Sequence, residues 1–158
     1  MESALIVSCA EASTAFFAKM LGAIPCHQVT AIGCCAEARR LLVEREFDLV
    51  IINAPLRDET GEALARHIAA KGTGQVILVV KSEYYYEISA VTEDDGVITI
   101  AKPINRAVFW SMLKLAKAAQ HRLIKLRAEN SKLTQKIEDI RLVDRAKCIL
   151  RSYRKISG

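Results

Sequence analysis

What this chain of 158 residues lacks narrows its class before any motif is read. It has no Gly-rich phosphate loop and no cluster of acid and base side chains, so an enzyme is not expected, nor is any cofactor. No apolar run approaches the roughly 18 residues of a membrane span, and the opening MESALIVSCAEAS has neither the basic region nor the long apolar run of a secretory leader. A cytosolic protein with no membrane partner is the expectation. The five cysteines, Cys9, Cys26, Cys34, Cys35 and Cys148, are odd in number and lack the paired spacing of a zinc site. Reduced thiols and no metal follow, with Cys34 and Cys35 read as small residues opening a helix. Glycine and proline are both missing from residues 104–156.

That last absence marks the longest feature present. Helix periodicity runs unbroken for about fifty residues, where globular helices reach about 20, so a coiled coil or helical extension is expected, on the order of 70 Å long. Heptads place Ala116, Leu123, Asn130 and Ile137 at one seam position and Ala119, Leu126, Leu133 and Ile140 at the other. A lone seam Asn pairs best with its own copy, which points to a parallel homodimer through Leu123, Leu126, Asn130, Leu133 and Ile137. The flanking charges do not help, since Arg122 would face Arg127 of the partner helix. Residues 121–158 hold 11 Lys and Arg against 4 Asp and Glu, net +7, and leave residues 1–120 at −2. Such a basic extension is the electrostatic footprint of a nucleic-acid contact, which a solvated helix face or a site for acidic proteins shares.

Upstream, short apolar runs alternate with helical segments. Strands are expected at residues 4–7, 29–32, 48–52, 76–80 and 97–101, and helices at 12–21, 36–46, 59–70 and 84–91, with Gly72 closing the third. Five short apolar strands, the run at 29–32 weaker than the others, alternate with helices and imply a parallel α/β sheet, doubly wound, covered on both faces. One globular domain over residues 1–120 with a linker helix over 121–140 accounts for the length.

Residues 3 to about 120 resemble the CheY-like receiver domain of bacterial response regulators, with its flavodoxin-like sandwich. The resemblance rests on strand spacing, on DLVIINAPLRDETGEALARHI in place of the phosphoacceptor strand and its loop, and on Lys102-Pro103 after the fifth strand. It implies a set of site positions, and most are altered. The acidic pair falls on Ser8 and Cys9, the phosphoacceptor on Asn53, the hydroxyl residue on Val80 and the aromatic switch on Thr99; Lys102 is retained. An amide nitrogen is not a nucleophile, Val80 cannot hydrogen-bond a phosphoryl oxygen, and a serine with a thiol is a poor Mg²⁺ site. The domain is expected to be a pseudo-receiver, with the Lys102 ammonium bonded to strand-end carbonyls or water.

Residues 136–150, KIEDIRLVDRAKCIL, resemble the opening helix of the ANTAR domain, an RNA-binding module of bacterial transcription antiterminators. Ala146-Lys147 before an apolar doublet is its most characteristic part; Cys148 stands where Gly is usual and Ile140 where Arg is common. The resemblance implies that residues 136–158 form the N-terminal part of that three-helix module. It implies a dimeric antiterminator that binds a hairpin of nascent leader mRNA, with Arg145, Lys147, Arg151, Arg154 and Lys155 as its candidate RNA contacts. Without phosphorylation, control would pass to a regulatory sensor protein. Tyr84, Tyr85 and Tyr86 cannot all face one core, so at least one is expected to be exposed as an anchor for such a partner. The other reading is a dimeric signalling adaptor that binds no RNA.

Overall fold

The computed structural model describes the backbone of residues 1–157 and the side chains of residues 1–142. Two compact units divide the chain, Met1–His121 and a second beginning at Arg122.

The first unit is built on five strands, β1 (Ser3–Val7), β2 (Gln28–Ile32), β3 (Leu49–Asn53), β4 (Gln75–Lys81) and β5 (Ile98–Lys102). They pair in parallel in the order β2-β1-β3-β4-β5. All five residues of β3 are buried, which the unbroken apolar run LVII requires of a strand covered on both faces. Because successive side chains alternate faces, the sheet separates two cores. Leu5, Val7, Val50, Ile52, Leu78 and Val80 pack on one side, with α2 (Cys35–Glu44), α3 (Glu62–Lys71) and α4 (Tyr85–Thr92). Ala4, Ile6, Leu49, Ile51, Ile77 and Val79 pack on the other, with α1 (Glu11–Gly22) and the start of α5 (Arg106–Ser157). β2 keeps a mostly exposed face because it is an edge strand, which explains its weak apolar signal.

Helix ends depart from the periodicity where side chains act across the fold. The third helix begins at Glu62 rather than 59, since Asp58 and Glu59 are held by α2 and Gly61 stands at its N-cap with φ +97°. Its far end is the expected glycine stop, with Gly72 left-handed at φ +65°. Two residues later, a Cβ at Gly74 would lie 2.1 Å from the Phe47 carbonyl oxygen, so only glycine lets the chain turn there into β4.

The start of α5 is capped by Asn105, whose Oδ1 accepts from the amides of Ala107 and Val108. Phe109, Leu113 and Ala116 then follow at helical spacing, each fully buried. Ala116, a seam position by heptad spacing, therefore belongs to the domain core, and the exposed apolar repeat begins only after it. One turn on, Gln120 is 98% buried. Its Nε2 donates to Asp48 Oδ1 at 3.0 Å and to the Thr73 carbonyl at 3.2 Å, and its Oε1 accepts from Gln75 Nε2 at 3.3 Å. Asp48 Oδ2 meanwhile accepts from the Glu2 amide at 2.7 Å. The amino edge of β1, β3 and β4 is thereby tied to α5 through one buried amide. Gln120→Leu keeps the volume but strands these partners, and is expected to cost about 1–3 kcal/mol in urea unfolding. Gln120→Glu sets a second carboxylate against Asp48 and should cost more.

Candidate functional site

Parallel strands end on the same side, so the β3–α3 turn and the carboxyl ends of β1, β4 and β5 form one edge. The register brings together Ser8 and Cys9 after β1, Asn53 at the end of β3, Val80 and Lys81 at the end of β4, and Lys102 at the end of β5. Five of the six sequence-predicted positions are thus gathered at this edge; the sixth, Thr99, lies three residues back along β5.

Hydrogen bonds between neutral groups take the place of a carboxylate cluster. Asn53 and Ser8 are both buried, and Asn53 Nδ2 donates to Ser8 Oγ at 3.1 Å. The serine hydroxyl in turn donates to the Ala10 carbonyl at 3.3 Å, which folds the loop entering α1. Asn53 Oδ1 is buried with no hydrogen-bond partner among the described residues. Cys9 is exposed, its thiol 3.8 Å from the Pro55 carbonyl. Val80 is 1% exposed and serves the core.

Lys102 Nζ donates to the Ala54 carbonyl at 2.6 Å, the strand-end carbonyl bond expected of it. Its pKa lies below the usual lysine range, first because it is partly desolvated and then because Lys81, its register partner, is a second cation alongside. This edge therefore presents two ammonium groups and no carboxylate among the matched positions. Mg²⁺ requires hard, negatively charged oxygen ligands. The residues here do not fit it: Ser8 Oγ is already engaged, the only spare oxygen is an amide, and two lysines oppose a divalent cation. Among the described residues, no three His, Cys, Asp or Glu side chains converge as a metal site.

Thr99, at the expected switch position, is hydrogen-bonded. Its Oγ1 lies 3.1 Å from Thr92 Oγ1, and Thr92 donates to the Ile88 carbonyl at 2.8 Å, so this hydroxyl pair pins α4 to β5. At the start of α4 the tyrosines divide: Tyr85 packs on the core with Ile88, while Tyr86 and the preceding Tyr84 are exposed.

Two acidic residues that sequence reasoning passed over organise the loop after β3. Asp58 accepts from the amides of Cys35 at 3.0 Å and Ala36 at 2.8 Å, capping α2 from another part of the chain. Those two hydrogen bonds hold its carboxyl below the usual range. Glu59 forms a two-pronged pair with Arg39 of α2, at 2.8 and 3.1 Å, and is held low by it. Burial, reinforced by these two carboxylates, pushes the Cys35 thiol up to about 12, which leaves it protonated. The only sequence signal for the brace was an unfilled cap at Cys34, whose side chain makes no capping bond.

In the second unit, Leu126, Leu133 and Ile137 are each more than half exposed, Asn130 is exposed and Leu123 is half-buried. Arg145, Lys147, Arg151, Arg154 and Lys155 lie outside the residues whose side chains are described. No helix among the described residues is long and apolar enough to cross a membrane.

No protein-family description and no curated protein matches this sequence. Solved structures do. The signal receiver domain of an HD domain-containing protein from Pseudomonas fluorescens Pf-5 is 24% identical with a TM-score of 0.67, covering 78% of this chain and 92% of its own. A CheY-like receiver domain protein from Methanospirillum hungatei JF-1 is 20% identical with a TM-score of 0.66, over 77% of this chain and 98% of its own. The receiver domain of a sensor histidine kinase from Pseudomonas aeruginosa PAO1, solved with magnesium coordinated in its active-site cleft, is 18% identical with a TM-score of 0.60, over 73% and 96%. With the β2-β1-β3-β4-β5 sheet and α1 and α5 on the face opposite α2, α3 and α4, the first unit of this chain has the fold of the CheY-like response-regulator receiver domain.

Proposed function

We propose that this protein is a response-regulator-type transcription antiterminator whose pseudo-receiver works without phosphoryl transfer. The observation that carries the phosphorylation-independent part is the buried amide of Asn53, bonded to Ser8 at an edge that holds two lysines. An amide nitrogen cannot form an acyl phosphate, and with no carboxylate at the matched positions and two lysines alongside, the edge is a poor place for Mg²⁺. Regulation then falls to a partner protein, for which the exposed Tyr84 and Tyr86 are suited anchors. No catalysis is involved; output would come from binding. Incubation with acetyl phosphate and Mg²⁺ is expected to leave the intact mass of the protein unchanged. A phosphorylated species would remove the pseudo-receiver reading.

Dimerisation through α5 is the second part of the proposal. Leu126, Leu133 and Ile137 repeat at heptad spacing with Asn130 between them, and a second copy would cover these exposed side chains. Leu126→Asp combined with Leu133→Asp should yield a monomer by sedimentation, with the receiver core still folded. A double mutant that stays dimeric would move the interface to the globular unit.

RNA recognition rests on the net +7 of residues 121–158 and on the resemblance of residues 136–150 to the opening ANTAR helix. Affinity would come from cations on phosphates and specificity from unpaired loop bases of the leader hairpin. Replacing Arg145 and Lys147 by Ala should weaken binding to a hairpin leader RNA. The slope of log affinity against log salt should become shallower by about 0.7 to 0.9 for each phosphate that is no longer neutralised. An unchanged affinity and slope would favour the dimeric adaptor, which the exposed leucines support without any RNA.

A further inference from the structure

A groove of about 540 Å³ lies between α1 and the beginning of α5, on the face of the first unit away from α4, lined by Lys19, Met20, Ala23, Arg106, Ala107 and Trp110. Its floor is apolar and its rim cationic. Met20 is buried and Trp110 half-buried, while Lys19 and Arg106 are exposed. Lys114 places its Nζ 5.5 Å from the centre of the Trp110 ring. Arg106, Trp110, Lys114 and Lys117 follow one another along α5 at steps of four, four and three, so they share one side of the helix. None of the four cations Lys19, Arg106, Lys114 and Lys117 is in an ion pair among the described residues. No carboxylate lines the groove, and the sequence has none between Asp95 and Glu129. The one acid of α1, Glu11, stands at its opposite end, about 12 Å along the helix from Lys19.

We propose that this groove is a docking site for an acidic peptide segment of a partner protein that inserts an apolar side chain against Met20 and Trp110. Charge complementarity selects the occupant: Lys19 and Arg106 at the edge of an apolar floor, with Lys114 over Trp110, match carboxylates flanking a hydrophobic anchor, as when an amphipathic helix lies in a groove. A flexible thioether and an indole accommodate such an anchor without a fixed shape. Nucleic acid fits less well, because base stacking needs an open aromatic face and Lys114 already occupies one face of Trp110. The proposal is independent of RNA binding by α5 and of the state of the Asn53 edge.

Trp110 is the only tryptophan in the chain, so its emission reports on the groove directly. The intact protein would be titrated with a short helical peptide of glutamates carrying one leucine stripe. A saturable change in Trp110 emission is expected, weakened at least about tenfold by Lys19→Glu with Arg106→Glu, both on the exposed rim. Filling the groove with Ala107→Phe, or with Ala23→Phe should the first variant fail to fold by circular dichroism, should abolish the response. Equal binding of a leucine-free glutamate peptide would overturn the proposal, as would no response at all. So would a tighter response to hairpin RNA or phosphatidylserine vesicles that the same charge reversals remove, since the patch would then serve a nucleic acid or a membrane.

Discussion

Burial of β3 on both faces is the constraint from which the rest of the domain follows. A strand with no exposed face needs neighbours on either edge and helices above and below, and parallel neighbours can be reached only by crossover connections. Right-handed crossovers send α1 to one side and α2, α3 and α4 to the other, and α5, which follows the last strand, packs on the side of α1. Once that is settled, every strand ends at the same edge. Ser8, Asn53, Lys81 and Lys102 meet there although they are scattered over almost a hundred residues of sequence.

At that edge the same topology supports different electrostatics from those of a metal-binding receiver. A carboxylate cluster would need a cation to offset its self-repulsion, and Mg²⁺ is the cation seen in the cleft of the Pseudomonas aeruginosa neighbour. Here neutral groups bond one another and Lys102 is satisfied by a backbone carbonyl. Asp58 and Glu59, in the loop after β3, are engaged in holding α2. The loop after β3 is thus braced by internal pairs, and the hydroxyl pair Thr92–Thr99 similarly ties α4 to β5.

Helix α5 serves two environments with one periodicity. Phe109, Leu113, Ala116 and Gln120 face the sheet, and the last of these closes the contact with a hydrogen-bonded amide instead of a methyl group. An amide at that place suits the amino edge, where strands begin and backbone groups outnumber their ladder partners. Beyond His121 the apolar positions Leu126, Leu133 and Ile137 continue at heptad spacing, each more than half exposed.

By itself the sequence determined the strands, the order of elements, the glycine stop of α3 and the length of α5. Each depends on local patterns: apolar runs, helical periodicity, and the conformations that glycine permits and proline denies. The gathering of Ser8, Asn53 and Lys102 was legible only through the resemblance, because register with a known fold supplies distances that spacing cannot. What tertiary structure alone decided were the long-range polar contacts. Asp58 on the amides of α2, Glu59 on Arg39, Gln120 on Asp48 and the cationic rim around Trp110 all join residues that no periodicity connects. Ala116 shows the same limit within one helix. An apolar residue at heptad spacing fits a coiled-coil seam and a domain core equally well, and only the position of the sheet beneath it separates the two.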